Sequence, residues 1–178
     1  MKNKWVIVLV SIIIIVLLFE IRCISYVDYY EQQKNEWENK LHAYEEYFEY
    51  IVHDMNSEPV LKDVLYIELY DDIKITGKNK TIPIDEIHNS ELFIEALEEM
   101  KLLGVNLIIP YDVEGWSFIK QFKNKESDTI IHEVGLYYSK QREKTNINYL
   151  YGDWFFRNTN INMENKIYEF IYKVRTRG

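Results

Sequence analysis

Cysteine is nearly absent from this chain of 178 residues, where Cys23 is the only one. A single thiol cannot close an intramolecular disulfide, and it excludes a cysteine-built zinc site. Three prolines and six glycines are too few for a flexible linker or a Gly-rich phosphate loop, and no Ser or Cys stands in a recognisable nucleophile elbow. Positive charge is scarce as well: 21 Lys and Arg face 29 Asp and Glu, a net charge of −8. Lys2, Lys4 and Arg22 outnumber Glu20 in the first 25 residues, which makes that stretch +2 and leaves −10 for the rest. An acidic body of this kind does not suit nucleic acid, whose phosphates demand a basic surface, and it does not dock flat on anionic lipid. Its plainest role is solubility through self-repulsion.

Long apolar runs are the opposite case. Trp5 to Phe19 reads WVIVLVSIIIIVLLF, with thirteen Val, Ile, Leu or Phe among fifteen residues and no charge. At about −0.3 to −0.6 kcal/mol each near a bilayer centre, these residues supply on the order of −4 to −8 kcal/mol of insertion free energy. Fifteen residues rise about 22 Å, and continuing through Tyr26 brings the length to about 33 Å, enough for a hydrocarbon core of about 30 Å. Glu20 and Arg22 then fall near the far interface, where long side chains reach headgroups. Trp5 at one end and Tyr26, Tyr29 and Tyr30 at the other resemble interfacial aromatic belts. Basic residues before the helix stay in the cytoplasm, so the following chain is expected outside. Residues 1–26 are thus expected to be a transmembrane anchor with residues 5–26 in the lipid bilayer.

Three other readings use the same residues. A cleaved signal peptide would give a secreted form, with Cys23 and Ser25 as the small residues of the cleavage site, although Glu20 and Arg22 are unusual so close to one. Lipidation of Cys23 wants Leu three residues earlier and a small residue just before, and Glu20 and Arg22 hold those places. A buried core helix does not account for apolar character on every side. An exported domain without disulfides, rich in Ile, Asn, Lys, Tyr and Glu, fits a bacterial envelope; Asn79-Lys80-Thr81 is a glycosylation sequon that matters only elsewhere.

The remaining residues, about 150, suffice for one domain with its own core. Residues 27–56 read as a stalk helix. Trp37, Leu41, Tyr44, Phe48, Ile51 and Met55 recur at heptad spacing, and Tyr47 and Tyr50 widen the stripe. The seam suits packing across a sheet; a homodimer through the stalk helix is the competing use. Residues 57–178 read as an α+β extracytoplasmic domain, a mainly antiparallel sheet with one further packed helix. Strands are expected at Val64–Tyr70, Ile73–Thr76, Thr81–Ile84, Val105–Ile109, Thr129–Ser139, Ile147–Arg157 and Lys166–Val174. Trp116–Phe122 fits either period and is read as a strand because a loop-like stretch follows it. Ser90–Leu103 is the soluble helix, with Phe93, Ala96, Leu97, Met100 and Leu103 on one face and Gly104 to stop it.

Chemistry is thinly marked. His42 stands near Glu45, Glu46 and Glu49, and His53 near Glu49, but neither pair brings the second His that zinc sites use, and His88 and His132 are isolated. No metal or other cofactor is expected. Asp71, Asp72, Asp112, Glu114 and Asp153 are the candidate carboxylates outside helices; paired carboxylates can hydrolyse glycosides, yet Asp in a turn is ordinarily there to bond backbone amides. Aromatics are the unusual feature. On Ile147–Arg157, Trp154 and Phe156 share one side, and Tyr149, Tyr151 and Phe155 share the other. If one aromatic face meets helices, the other is left for a groove or a partner, and Trp116, Tyr138, Trp154 and Phe156 are the candidate ligand-binding residues. The expectation is an anchored binding or accessory domain, with an envelope protein as a possible partner. A membrane-anchored hydrolase acting on envelope polymer is the alternative. With four residues ahead of the anchor, a signal to the cytoplasm would need a partner.

Overall fold

A computed structural model describes residues 2–87, 90–111, 114–123, 130–141, 144 and 148–158. The chain divides into two compact units, one of Met1–Glu36 with Lys166–Gly178 and the other of Trp37–Asn165. Helix α1 spans Lys2–Ala43. In the first unit every described side chain from Val8 to Ile21 is exposed. Among the described residues no helix is long and apolar enough to cross a membrane. That apolar stretch, counted over its described side chains, rises about 21 Å, short of the roughly 20 residues a span requires.

The second unit is α+β. After α1 come α2 (Glu45–Ser57), β1 (Val64–Leu69), β2 (Ile73–Gly77), α3 (Ser90–Leu102), β3 (Leu107–Pro110), β4 (Trp116–Lys123), β5 (Ile130–Tyr138) and β6 (Trp154–Asn158). Short 3-10 turns occupy Pro59–Leu61 and Ile84–Glu86. The six strands form one sheet in the order β2-β1-β3-β4-β5-β6, and every neighbouring pair is antiparallel. The β1–β2 hairpin forms one wing. Helix α3 then carries the chain across β1 so that β3 pairs on its far side, and β3 to β6 follow as a meander.

The heptad-spaced residues lead into this unit's own core. Trp37, Leu41, Phe48, Ile51 and Met55 are each no more than 2 % exposed. The helix expected over residues 27–56 is interrupted at Tyr44, which has φ −129° and ψ 23°. Neither Gly nor Pro causes the break. Glu45 and Glu46 begin the new helix, where carboxylates favour the positive end of its dipole. Helix α2 turns Phe48, Ile51, Val52 and Met55 inward at steps of three and four, and it stops where Pro59 forces Glu58 into an extended conformation. It packs beside α3. Gly104, at φ 87°, closes α3, with Gly104 N donating to Lys101 O and Val105 N to Met100 O. Lys40 Nζ also donates to Leu103 O at 3.4 Å, placing a cation where the dipole is negative.

Two strand expectations change and one holds. Thr81–Ile84 makes only one bridge, Thr76 to Thr81, because Pro83 cannot donate and the chain turns into a 3-10 helix. The stretch read as the strand Ile147–Arg157, described from Asn148 on, is not one strand: the chain bends at Tyr151-Gly152-Asp153, with Gly152 at φ 59°, and Asn148–Leu150 folds back on β6 through one bridge, Tyr149 to Phe155. Trp116–Phe122 is a strand as read, running one residue longer. Lys166–Val174, His88 and Asp112 lie outside the described residues.

Candidate functional site

Register fixes which side chains share a face. Trp116 lies opposite Tyr138, and Tyr138 opposite Trp154; Phe118 lies opposite Leu136, and Leu136 opposite Phe156. Alternation along each strand therefore brings Trp116, Tyr138, Trp154 and Phe156 onto one face. Helix α2 covers it. Phe48 meets Phe118 edge-on with centroids 5.0 Å apart and Trp154 at 5.5 Å, and Trp154 meets Tyr138 edge-on at 5.1 Å. Trp154 and Phe156 are buried, and Trp116 is buried with its Nε1–H donating to Asn56 Oδ1 at 3.0 Å. Such edge-to-face contacts are the favoured geometry of a packed aromatic core. Tyr138 is the one of the four that stays half-buried, at the rim.

The rim is where polar groups converge. His42, in the last turn of α1, stacks flat on Tyr151 with centroids 4.3 Å apart and planes 1° from parallel. The Gly152 turn is what presents Tyr151 there. Burial, reinforced by the charges of Glu45, Glu49 and Glu38, pushes the Tyr151 hydroxyl far above the usual phenol range. Burial also raises Tyr138; Lys140 works against that shift, while Asp153 and Glu49 add to it. Both phenols stay protonated and able to donate. Asp153 pairs with Lys144 at 3.2 Å, and Glu114 pairs with Lys140 at 3.5 Å. The rim thus offers hydroxyl donors among carboxylates, a setting for recognition. Among the described residues no group of His, Cys, Asp or Glu could hold a metal ion. Asp71 and Asp72 sit at the β1–β2 turn and Asp153 in the turn before β6.

The opposite face is aromatic too. Tyr111 stacks on Tyr137 at 4.6 Å, Tyr137 on Phe155 at 5.0 Å, and Tyr149 meets Phe155 edge-on at 5.6 Å. A polar chain runs beside them. Arg157 donates to Glu133 at 2.9 Å and to Ser117 Oγ at 3.5 Å, Gln121 Nε2 donates to Glu133 at 2.9 Å, and Tyr70 donates to Gln121 at 3.4 Å. Asn106 completes the chain: its Oδ1 accepts from Gln121 N at 2.8 Å and its Nδ2 donates to Gln121 O at 3.1 Å. These bonds tie β4, β5 and β6 together and reach Tyr70, just after β1, and Asn106, just before β3. Tyr137, Phe155 and Ser117 are buried, so this face is largely closed at β4–β6.

Sequence reasoning reached the aromatic face, with Tyr138 at its rim, but not the His42–Tyr151 stack or the polar chain. Tyr151 lies more than a hundred residues after His42 and Glu45 in sequence, and the bend at Gly152 brings it to them. Comparison with family models, with curated proteins and with solved structures finds no match for this chain.

Proposed function

We propose that this chain is a single-pass membrane protein of a bacterial envelope, with its N-terminus cytoplasmic and an outer α+β domain that acts by binding rather than catalysis. The observation that carries the anchor is the exposure of the apolar helix. Thirteen large apolar residues from Val8 to Ile24 are each between 47 and 65 % exposed, with no protected side. Soluble proteins rarely leave more than a few hundred Å² of contiguous apolar surface in water. Lipid is the solvent that makes such a surface favourable, and Lys2 and Lys4 set the orientation. The binding reading of the domain draws on its rim of protonated phenols among carboxylates, set where the Gly152 turn stacks Tyr151 on His42.

The test is alkaline carbonate extraction of cell membranes together with protease treatment of intact cells. Full-length chain should remain in the pellet, and a C-terminal tag should be digested from outside. Ile13→Lys with Val16→Lys should release the chain into the supernatant, since each charge near the bilayer centre costs about 2.5–3.5 kcal/mol. Wild-type chain extracted by carbonate, or a tag shielded from protease, contradicts the proposal.

A further inference from the structure

Strand order leaves β2 at the edge of the sheet, and the chain covers that edge only in part. Gly77 N donates to Lys80 O and Ile82 N to Ile75 O, both at 2.9 Å, so the Ile75 carbonyl and the Gly77 amide point away from β1. Backbone groups alternate sides along a strand, so the amide and carbonyl of Ile73 point outward too. Leu69, paired with Ile73 across the hairpin, agrees: its N–H turns the other way, to Asn106 O at 3.0 Å. Outward cover ends at Pro83, which has no N–H to give, and the chain leaves the edge as a 3-10 turn.

The space it leaves beside β2 is a cleft of about 550 Å³, lined by Ile73, Ile75, Ile82, Pro83, Ile84 and Ile94. Ligand pockets span about 300–1,000 Å³ and are mostly apolar with a few polar groups. The charge around the cleft leans acidic. Lys74, on the cleft wall, lies 3.9 Å from Glu68, and Lys80 pairs with Glu86 at 2.8 Å. Lys101 Nζ donates to the Asp71 backbone carbonyl at 2.8 Å, not to its carboxylate. Asp85, which lines the cleft, and Asp71 and Asp72, which precede Ile73, add three exposed carboxylates. An unpaired edge beside an apolar cleft is the arrangement that strand addition uses, with backbone bonds for affinity and a side-chain pocket for specificity.

We propose that the outer edge of β2 receives an extended, basic peptide segment of a partner. One residue of that segment exchanges backbone hydrogen bonds with Ile73, its branched apolar side chain fills the isoleucine cleft, and flanking Lys or Arg meet Asp71, Asp72 and Asp85. The inference rests on the reading of the outer domain as a binding module and is independent of the anchor.

The experiment screens the full chain, held in a non-ionic detergent, against a displayed library of random seven-residue peptides. Selected peptides should carry an apolar residue flanked by Lys or Arg. A synthetic copy should lose binding at least tenfold when the amide of its paired residue is N-methylated and should keep it when the next amide, which faces away, is methylated instead. Hydrogen exchange at the Ile73 amide should slow at least tenfold on binding. Asp71→Asn, Asp72→Asn and Asp85→Asn together should weaken binding about tenfold at low salt with the circular dichroism spectrum unchanged. Equal tolerance of both methylations, or protection at Tyr138 and Tyr151 in place of Ile73, would remove this site while leaving the domain a binding module. A library that yields no binder would overturn both.

Discussion

Replacing Gly135 by Ala should destabilise the domain severely, although the same change in most strands helps slightly by restricting the unfolded chain. Gly135 lies near the middle of β5, between Ile119 on β4 and Arg157 on β6. A β-carbon there would overlap the Phe118 carbonyl oxygen and stand 3.0 Å from the Phe118 carbonyl carbon and 3.2 Å from Ile119 Cα. All three are backbone atoms, so no side chain can swing aside. Relief requires β4 and β5 to part locally, which breaks about two ladder hydrogen bonds and leaves buried donors and acceptors unpaired at roughly 1–3 kcal/mol each. The ordinary entropic gain of Gly to Ala, about 0.4–1 kcal/mol, offsets little of that. The net loss should be about 3 kcal/mol. Urea unfolding followed by tryptophan fluorescence reads it directly, because Trp116 and Trp154 are buried on the neighbouring strands. With a slope of about 2 kcal/mol per molar, the midpoint should fall by roughly 1.5 M. A midpoint unchanged or raised would show that β4 and β5 do not approach as closely as described, and the register argument for the aromatic face would fail with it.

Other predictions follow from the same packing. Phe48→Ala should cost about 3–5 kcal/mol, because it removes a fully buried ring that contacts both Phe118 and Trp154; a loss below 1 kcal/mol in urea unfolding would place α2 elsewhere. Gly152→Ala should cost about 1 kcal/mol, through the positive φ of 59°, and should shift the Tyr151 resonances by displacing its ring from His42. Burial holds the His132 pKa below its ordinary 6.5, with bonds to Asn158 and the charge of Glu133 opposing in part. Its neutral form favours the fold above about pH 6.5, and that stability is lost as pH falls and the unfolded chain takes up the proton first. His132→Phe should therefore flatten the acid limb of stability against pH, and an unchanged limb would exclude His132 as its source. Tyr151, Tyr138 and Tyr50 are all raised, so alkaline absorbance titration should leave phenols un-ionised past pH 10 until the domain unfolds.

Periodicity made much of this fold legible before any coordinates. Val64 to Leu69 alternates and forms β1, and Ser90 to Leu102 carries its apolar residues at helical spacing and forms α3. The spacing of Trp37, Leu41, Phe48, Ile51 and Met55 marked a buried stripe, but heptads alone could not choose between a sheet and a second helix; the wider stripe was the better guide. What escaped is instructive. Tyr44 breaks a helix with no Gly or Pro to announce it, and only the acidic pair Glu45-Glu46 hinted at a new helix start. Gly152 was visible, yet aromatics on both sides of it imitate one continuous strand. The rim and the Arg157–Glu133–Gln121–Asn106 chain depend on which strands become neighbours. That order follows from β3 crossing to the far side of β1, and no local pattern encodes the crossing.

The central claim is that the exposed apolar helix lies in hydrocarbon, and the depth of one residue tests it most directly. A spin label can be placed at Ile14→Cys in a Cys23→Ser background, and the chain reconstituted in lipid bilayers. Its collision rates are then measured with oxygen, which concentrates in hydrocarbon, and with a water-soluble nickel chelate. The account predicts that oxygen dominates at Ile14 and that the nickel chelate dominates for a label at Asp85→Cys on the α+β domain. Nickel accessibility at Ile14 equal to that at Asp85 would contradict it.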